Sequence, residues 1–167
     1  VPFPSRWAPL KPDVLQLYSM ATPNGQKISI ALEEMALSYE PHLINIIKDD
    51  QHDPEYLVFS PNGKIPAIID PNGPDGKRIA LCESAAILIY LADKSGQLLP
   101  QNTFSRMEHI QWLMFQVGHV GPFFGQFGHF YKVMRDKLKD NYPLERYTKE
   151  AKKLLAVLDT RLENRKY

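Results

Sequence analysis

Residues 59–91 decide the fold. They open with a turn, Ser60-Pro61-Asn62-Gly63, then Lys64-Ile65, and Pro66 leads a short apolar run, Ala67-Ile68-Ile69. A stretch rich in Pro and Gly (70–76) separates this run from a second one at 78–81. After Cys82, the pair Glu83-Ser84 opens an unbroken apolar segment at 85–92. Two short apolar runs joined by turn residues read as a hairpin, and the segment after them reads as a helix buried against it. Proline has no N–H, so Pro66 marks a strand start or an edge. An Ile-Pro bond between a turn and a strand is also a position suited to a cis peptide. Glu83-Ser84 at a helix start offers free backbone N–H groups with a carboxylate and a hydroxyl, a set able to grip a ligand carrying both a carboxylate and an ammonium group.

Outward from that stretch, residues 14–18 read as a short apolar strand and Thr22-Pro23-Asn24-Gly25 as a turn. Ile28, Leu32, Met35 and Ala36 give helical spacing over 26–37. Residues 42–47 read as a second strand, parallel to the first because a helix connects them. Residues 48–53 form a polar loop, and Pro54 starts a single helical turn. Residues 1–12 carry four prolines and Trp7 without a regular period. They read as an extended arm anchored by Trp7, or equally as a disordered tail. Beyond Gly96 and Pro100 the pattern is helical. One helix covers 104–117, Gly118, Gly121, Gly125 and Gly128 break up an aromatic segment, and a last helix covers 144–164 with an apolar face of Tyr147, Ala151, Leu154, Leu155, Leu158 and Leu162.

Composition excludes several classes. The 167 residues are 44% apolar and 23% charged, ordinary for a globular chain. A net charge of +1 gives no electrostatic footprint for nucleic acid or a membrane surface. No apolar run approaches the ~18 residues of a membrane span, and no secretory pattern opens the chain, so a cytoplasmic location is expected. One cysteine rules out an intrachain disulfide or a CxxC redox pair. His109, His119 and His129 have no metal-ligand spacing with acidic or cysteine partners, so no metal is expected.

The order β-α-β followed by β-β-α, with Ile65-Pro66 and Glu83-Ser84 in place, resembles the thioredoxin-like half of a glutathione transferase. The turn at 22–25 is similar to the nu class, which includes bacterial disulfide-bond oxidoreductases and has the fungal prion-forming nitrogen regulator as a close relative. Residues 50–55, 60–67, Gln111-Trp112, 121–126 and 145–147 agree with the same class. The resemblance implies an arm (1–12), a thioredoxin-like glutathione-binding domain (13–98) and an all-α domain (103–167). Members of the family normally continue with more helices, one of them opened by a Ser/Thr-x-x-Asp cap. None is found here, so a shortened helical domain is expected, with Leu154 and Leu158 partly uncovered.

Carried over by position, the resemblance implies that Thr22 and Asn24 point at the glutathione sulfur. Gln51 and Lys64, helped by His52, would hold the glycyl end, and Ile65 would pair its backbone with the cysteinyl unit. Glu83 and Ser84 would take the γ-glutamyl charges, and Arg146 would reach a second glutathione. Each residue also has a plainer reading. Thr22 and Asn24 are common turn and cap residues, Lys64 alone is a solvated charge, His52 a loop histidine, and Glu83-Ser84 a helix start. Cys82, at a strand end beside a carboxylate, reads as structural.

A thiol of pKa ~8.5 is only a few per cent thiolate at neutral pH, and lowering it by ~2 units takes about 2.7 kcal/mol. One or two charge-assisted hydrogen bonds supply roughly that. Many glutathione transferases use a Tyr or Ser hydroxyl after the first strand; here Tyr18 lies on the strand, so the resemblance makes Thr22 and Asn24 the better candidates. With no pair of protein thiols, disulfide exchange must use thiols that arrive with the ligand. The resemblance thus implies a homodimeric enzyme with glutathione as co-substrate, reducing disulfides or peroxides with two glutathiones per site, or weakly conjugating glutathione to an electrophile. The alternative is a non-catalytic, glutathione-binding regulator or scaffold of the same fold.

Overall fold

The structure, a computed structural model, describes residues 1–165. The chain forms two compact units, Val1–Asn102 and Thr103–Tyr167.

The first unit is built on a four-stranded sheet in the order β2-β1-β3-β4. Its elements in chain order are β1 (Leu15–Ser19), α1 (Pro23–Glu34), β2 (Tyr39–Leu43), α2 (Pro54–Leu57), β3 (Ala67–Asp70), β4 (Ile79–Cys82) and α3 (Ser84–Ser95). β1 and β2 run parallel, with Leu17 opposite Pro41. β3 is antiparallel to both β1 and β4, with Ile68 opposite Leu17 and Leu81. The alternation of a strand sends successive side chains to opposite faces, and here each face has its own core. Leu15, Leu17 and Ile68 pack with Ile28 and Leu32 of α1, with Met35 at its C-cap, and with Ile87 and Leu91 of α3. On the other face Tyr18, Ala67 and Ile69 pack with Ile44, Tyr56 and Phe59.

Two spans differ from the sequence expectation. α1 begins three residues early because Pro23 occupies its first position, where the missing N–H costs nothing, and the Thr22 hydroxyl oxygen accepts from Gly25 N–H at 3.3 Å as its N-cap. β2 lies at Tyr39–Leu43 rather than 42–47. Ile44 turns into the second core, while Ile46–Lys48 forms a 3₁₀ turn capped by the Asn45 side chain.

The first dozen residues pack on this unit rather than trailing away. Phe3 and Trp7 lie against the second core. Trp7 donates from Nε1 to the Leu43 carbonyl at 3.0 Å, and the Leu10 and Lys11 N–H groups donate to Glu40. Ser5 donates to Glu55, and Arg6 pairs with Asp50 and Asp53. β2 is an edge strand, and edges template unwanted pairing. Pro41, which has no N–H, and the Trp7 cap blunt this one.

Asp70, at the end of β3, is fully buried. Tyr90 Oη donates to it at 2.6 Å, the Asn72 N–H at 2.8 Å, and Lys94 Nζ lies 2.9 Å away. Burial pushes its carboxyl pKa up, but these three partners outweigh burial and hold it below the usual carboxylate value. Because Tyr90 and Lys94 are on α3, the cluster fixes that helix to the sheet.

In the second unit, α4 (Thr103–Phe115), a π-helical turn (Gln116–Val120), α5 (Gly121–Gly128) and a second π-helical turn (His129–Val133) form one helical run, followed by α6 (Tyr142–Leu162). The glycines therefore do not interrupt it as the sequence suggested. Each weakens a helix by about 0.5–1 kcal/mol, which the aromatic packing on α6 offsets: Phe130 stacks on Tyr147 at 5.5 Å and Phe123 sits 6.1 Å from the same ring. Leu154, expected to be partly uncovered, is buried with Ala151, whereas Leu155 and Leu162 are exposed. No helix among the described residues is long and apolar enough to cross a membrane.

Candidate functional site

A cavity of about 240 Å³ opens in the first unit, lined by Asn24, Ser60, Asn62, Lys64, Ile65, Pro66, Cys82, Glu83 and Ser84. Three local devices build it. The first is the start of α1, where Gly25 is buried against the end of β1. A Cβ there would lie 2.0 Å from the Met20 carbonyl oxygen, so only glycine allows the approach that sets Asn24 at the rim. The second is the turn before β3. Tyr56 Oη and Ser60 Oγ both donate to the Lys64 carbonyl at 2.7 Å, Gly63 takes φ 58°, and the Ile65-Pro66 peptide is cis. The third is the start of α3. Glu83 adopts φ 70°, ψ 109° and makes no side-chain cap bond. A non-glycine residue held in that region costs of order 1–3 kcal/mol. Ser84 beside it is buried.

Lys27, one turn along α1 from Asn24, joins the first device to the third. Its Nζ donates to Asn24 Oδ1 at 2.8 Å and to Ser84 Oγ at 3.3 Å. Burial lowers its pKa from the ordinary lysine value. Lys27 is not among the residues singled out in the sequence: its i, i+3 spacing from Asn24 puts both on one helix face, but a solvated lysine has the same spacing.

Of the residues singled out in the sequence, Asn24, Lys64, Ile65, Glu83 and Ser84 are brought around one cavity. Thr22 caps α1 just beside it. Gln51 and His52 lie on a 3₁₀ turn (Asp50–His52) outside the lining set. Gln51 Oε1 is buried without a partner, and His52 packs against Gly63. That turn is steadied from the arm, since Asp50 accepts from Arg6 and from Asn45 N–H. Arg146 is an exposed residue of α6 in the second unit. Cys82 is half-buried; burial and then the adjacent Glu83 raise its thiol pKa, which suits a packing role. Tyr18 is wholly buried in the second core, and burial pushes its pKa up, so its hydroxyl is no part of this cavity. Among the described residues no group of three or more His, Cys, Asp or Glu is placed to hold a metal.

Comparison with known proteins agrees with this architecture. Residues 21–94 match the family model described as glutathione S-transferase, N-terminal domain. Disulfide-bond oxidoreductase YfcG of Escherichia coli (strain K12) is 44% identical over 152 residues, covering 90% of this chain and 70% of that protein. The chain therefore belongs to the glutathione S-transferase family. A crystal structure of a glutathione transferase from Pseudomonas putida, with one glutathione disulfide bound per subunit, superposes with a TM-score of 0.95 at 51% identity, over 97% of this chain and 70% of that one. One from Burkholderia graminis, with two glutathione molecules per subunit, gives 0.95 at 56% identity, over 97% and 68%. The chain spans 59% and 54% of the next two curated relatives it matches.

Proposed function

We propose that this chain binds glutathione in the Asn24–Ile65–Glu83–Ser84 cavity and acts as a glutathione-dependent disulfide-bond oxidoreductase. The observation that carries the reading is the convergence of an amide (Asn24), a backbone held in place before a cis-proline (Ile65) and a carboxylate–hydroxyl pair at a helix start (Glu83, Ser84) on one small polar cavity. Glutathione presents a thiol between a zwitterionic γ-glutamyl end and a glycyl carboxylate. Glu83 would take its ammonium group, Ser84 and the first N–H groups of α3 the neighbouring carboxylate, and Ile65 the cysteinyl backbone. Lys64, Gln51 and His52 would serve the glycyl carboxylate. Asn24, with Thr22 beside it, would donate to the sulfur. The roomier groove of about 440 Å³ in the second unit, floored by Trp112 and Phe115, is mostly apolar and suits such a ligand less well.

In this reading the thiolate of a first glutathione attacks a substrate disulfide. A glutathione–substrate mixed disulfide forms and one substrate thiolate leaves. A second glutathione thiolate attacks the mixed disulfide at the glutathione sulfur. Glutathione disulfide forms, the second substrate thiolate leaves, and both leaving thiolates take protons from solvent. Two electrons pass from two glutathiones to one disulfide, and no protein thiol is consumed. The Pseudomonas putida and Burkholderia graminis neighbours, with glutathione disulfide and two glutathiones respectively, support the class of ligand and the stoichiometry.

The test is turnover of a small model disulfide with glutathione. The wild type and Cys82→Ser should both be active. Asn24→Ala should lose about ten- to a hundredfold, the effect of removing one sulfur donor worth roughly 1.5–3 kcal/mol. A folded Cys82→Ser protein that binds glutathione without turning over would place the chemistry on the protein thiol. A wild type that binds glutathione and reduces neither a disulfide nor a peroxide would mark a regulator or scaffold.

A further inference from the structure

We propose that Lys27 is the positioning residue for the amide that faces the glutathione sulfur: it captures Asn24 Oδ1, so that Asn24 Nδ2 is the group left to donate into the cavity. This rests on the glutathione reading above and adds to it a residue with a role of its own.

A primary amide carries one acceptor and one two-proton donor on the same planar group, and a free amide rotates to offer either. A thiolate needs the donor; the amide oxygen turned toward it would repel it. An ammonium group has three donors and no acceptor, so it can bond only the oxygen. Lys27 Nζ lies 2.8 Å from Asn24 Oδ1. Asn24 Nδ2 must then point away from the lysine, and Asn24 lines the cavity. Lys27 is held in its turn by Ser84 Oγ at 3.3 Å, across from its own helix. The ammonium thus spans the sulfur end and the γ-glutamyl end of the proposed site, and the amide orientation is set before any ligand arrives. The charged and titratable side chains that line the cavity itself are Lys64, Glu83 and the raised thiol of Cys82. All three stay in place in the variants below, so their contribution to the titration is common to all, and the absorbance of each protein without glutathione is subtracted.

The readout is the apparent pKa of the bound glutathione thiol, followed by thiolate absorbance against pH, with affinity measured separately by calorimetry. Lys27→Met keeps the length of the side chain and removes the donors. It should raise the bound-thiol pKa by about one unit and lower kcat at neutral pH about threefold, the fall in thiolate fraction for a thiol brought down by ~2 units in the wild type, while Kd for glutathione changes by no more than about threefold. Lys27→Arg, which still offers only donors, should return the pKa to within about half a unit of wild type. In an Asn24→Ala background, Lys27→Met should add less than about twofold, because it acts through the residue already removed.

An unchanged thiol pKa in Lys27→Met, with a raised one in Asn24→Ala, overturns this inference and leaves the glutathione reading intact. So does full additivity of the two substitutions. An unchanged pKa in Asn24→Ala with normal binding overturns the assignment of the sulfur donor itself. A wild type that does not bind glutathione overturns both.

Discussion

Replacing Gly25 by alanine tests how the start of α1 is seated. Gly25 has ordinary helical backbone angles, so the demand is for space alone. The new Cβ would meet the Met20 carbonyl oxygen at 2.0 Å and Ser19 Oγ at 2.5 Å, where ordinary contact begins at 3.4 Å. The serine side chain can rotate, but the carbonyl is backbone at the end of β1, so the helix start must move by more than 1 Å or the loop must deform. Overpacking of this kind costs typically about 1–3 kcal/mol. The same shift pulls Gly25 N–H from the Thr22 cap, worth about 1 kcal/mol. The sum, about 2–4 kcal/mol, corresponds to a fall in Tm of roughly 5–12 °C for a chain of this size. Asn24 and Lys27 ride on the displaced turn, so glutathione affinity should fall with stability. Thermal unfolding by circular dichroism and calorimetric titration with glutathione give the two numbers. Gly125→Ala is the control, because no heavy atom lies within 4 Å of its added Cβ. It should leave Tm unchanged or raise it, by up to about 1 kcal/mol of helix propensity. A Gly25→Ala protein that melts with the wild type and binds glutathione equally well would refute the close-approach argument.

Two further outcomes are expected. Glu83→Ala combined with Ser84→Ala should weaken glutathione binding at least about tenfold, the loss of roughly 1.5–3 kcal/mol of paired charge, and an unchanged calorimetric affinity in the folded double mutant would reduce the pair to a helix start. Asp70→Asn should cost about 2–4 kcal/mol near neutral pH, because it removes the charge facing Lys94 and strains the bonds from Tyr90 and Asn72. The Asp70 carboxyl is held below its unfolded value, so its contribution is present above the unfolded pKa of about 3.9 and is lost as pH falls through the lower folded value. Urea melts across pH 2–7 should show a shallower acid limb in Asp70→Asn than in wild type, and parallel limbs would refute the role.

The hairpin and α3 were legible because every local signal in residues 59–91 points the same way: turn residues, a proline at a strand start, apolar runs of strand length, then an uninterrupted helix. β2 was misplaced because its apolar residues are not where its strand is. Tyr39–Leu43 is an edge with Glu40, Pro41 and His42 in its middle, while the more apolar Ile44, Ile46 and Ile47 belong to the turn that follows. The start of α1 carried two contradictory messages, since Thr-Pro-Asn-Gly is both a turn and a capped helix with proline at its first position; the close packing on β1 decides between them. Asn24, Ile65, Glu83 and Ser84 could be picked out from their motifs. Lys27 could not, because a lysine on an amphipathic helix has the pattern of a solvated charge. Only the fold brings Ser84, 57 positions away, within reach of it.

The double use of β3 has a consequence for how this chain can vary. Ile68 belongs to one core, Ala67 and Ile69 to the other. In a sheet with one wet face, a slip of one residue turns the strand's whole apolar set out to solvent. Here it would exchange the occupants of two differently shaped interiors at once, pushing isoleucines where an alanine fits and leaving a hollow opposite. A length change within β3 would therefore disrupt both cores at once, whereas a substitution can be absorbed on one face at a time. The strand thus carries two sets of alternate positions, Ile68 answering to the core under α1 and α3, Ala67 and Ile69 to the core around Tyr18, Tyr56 and Phe59.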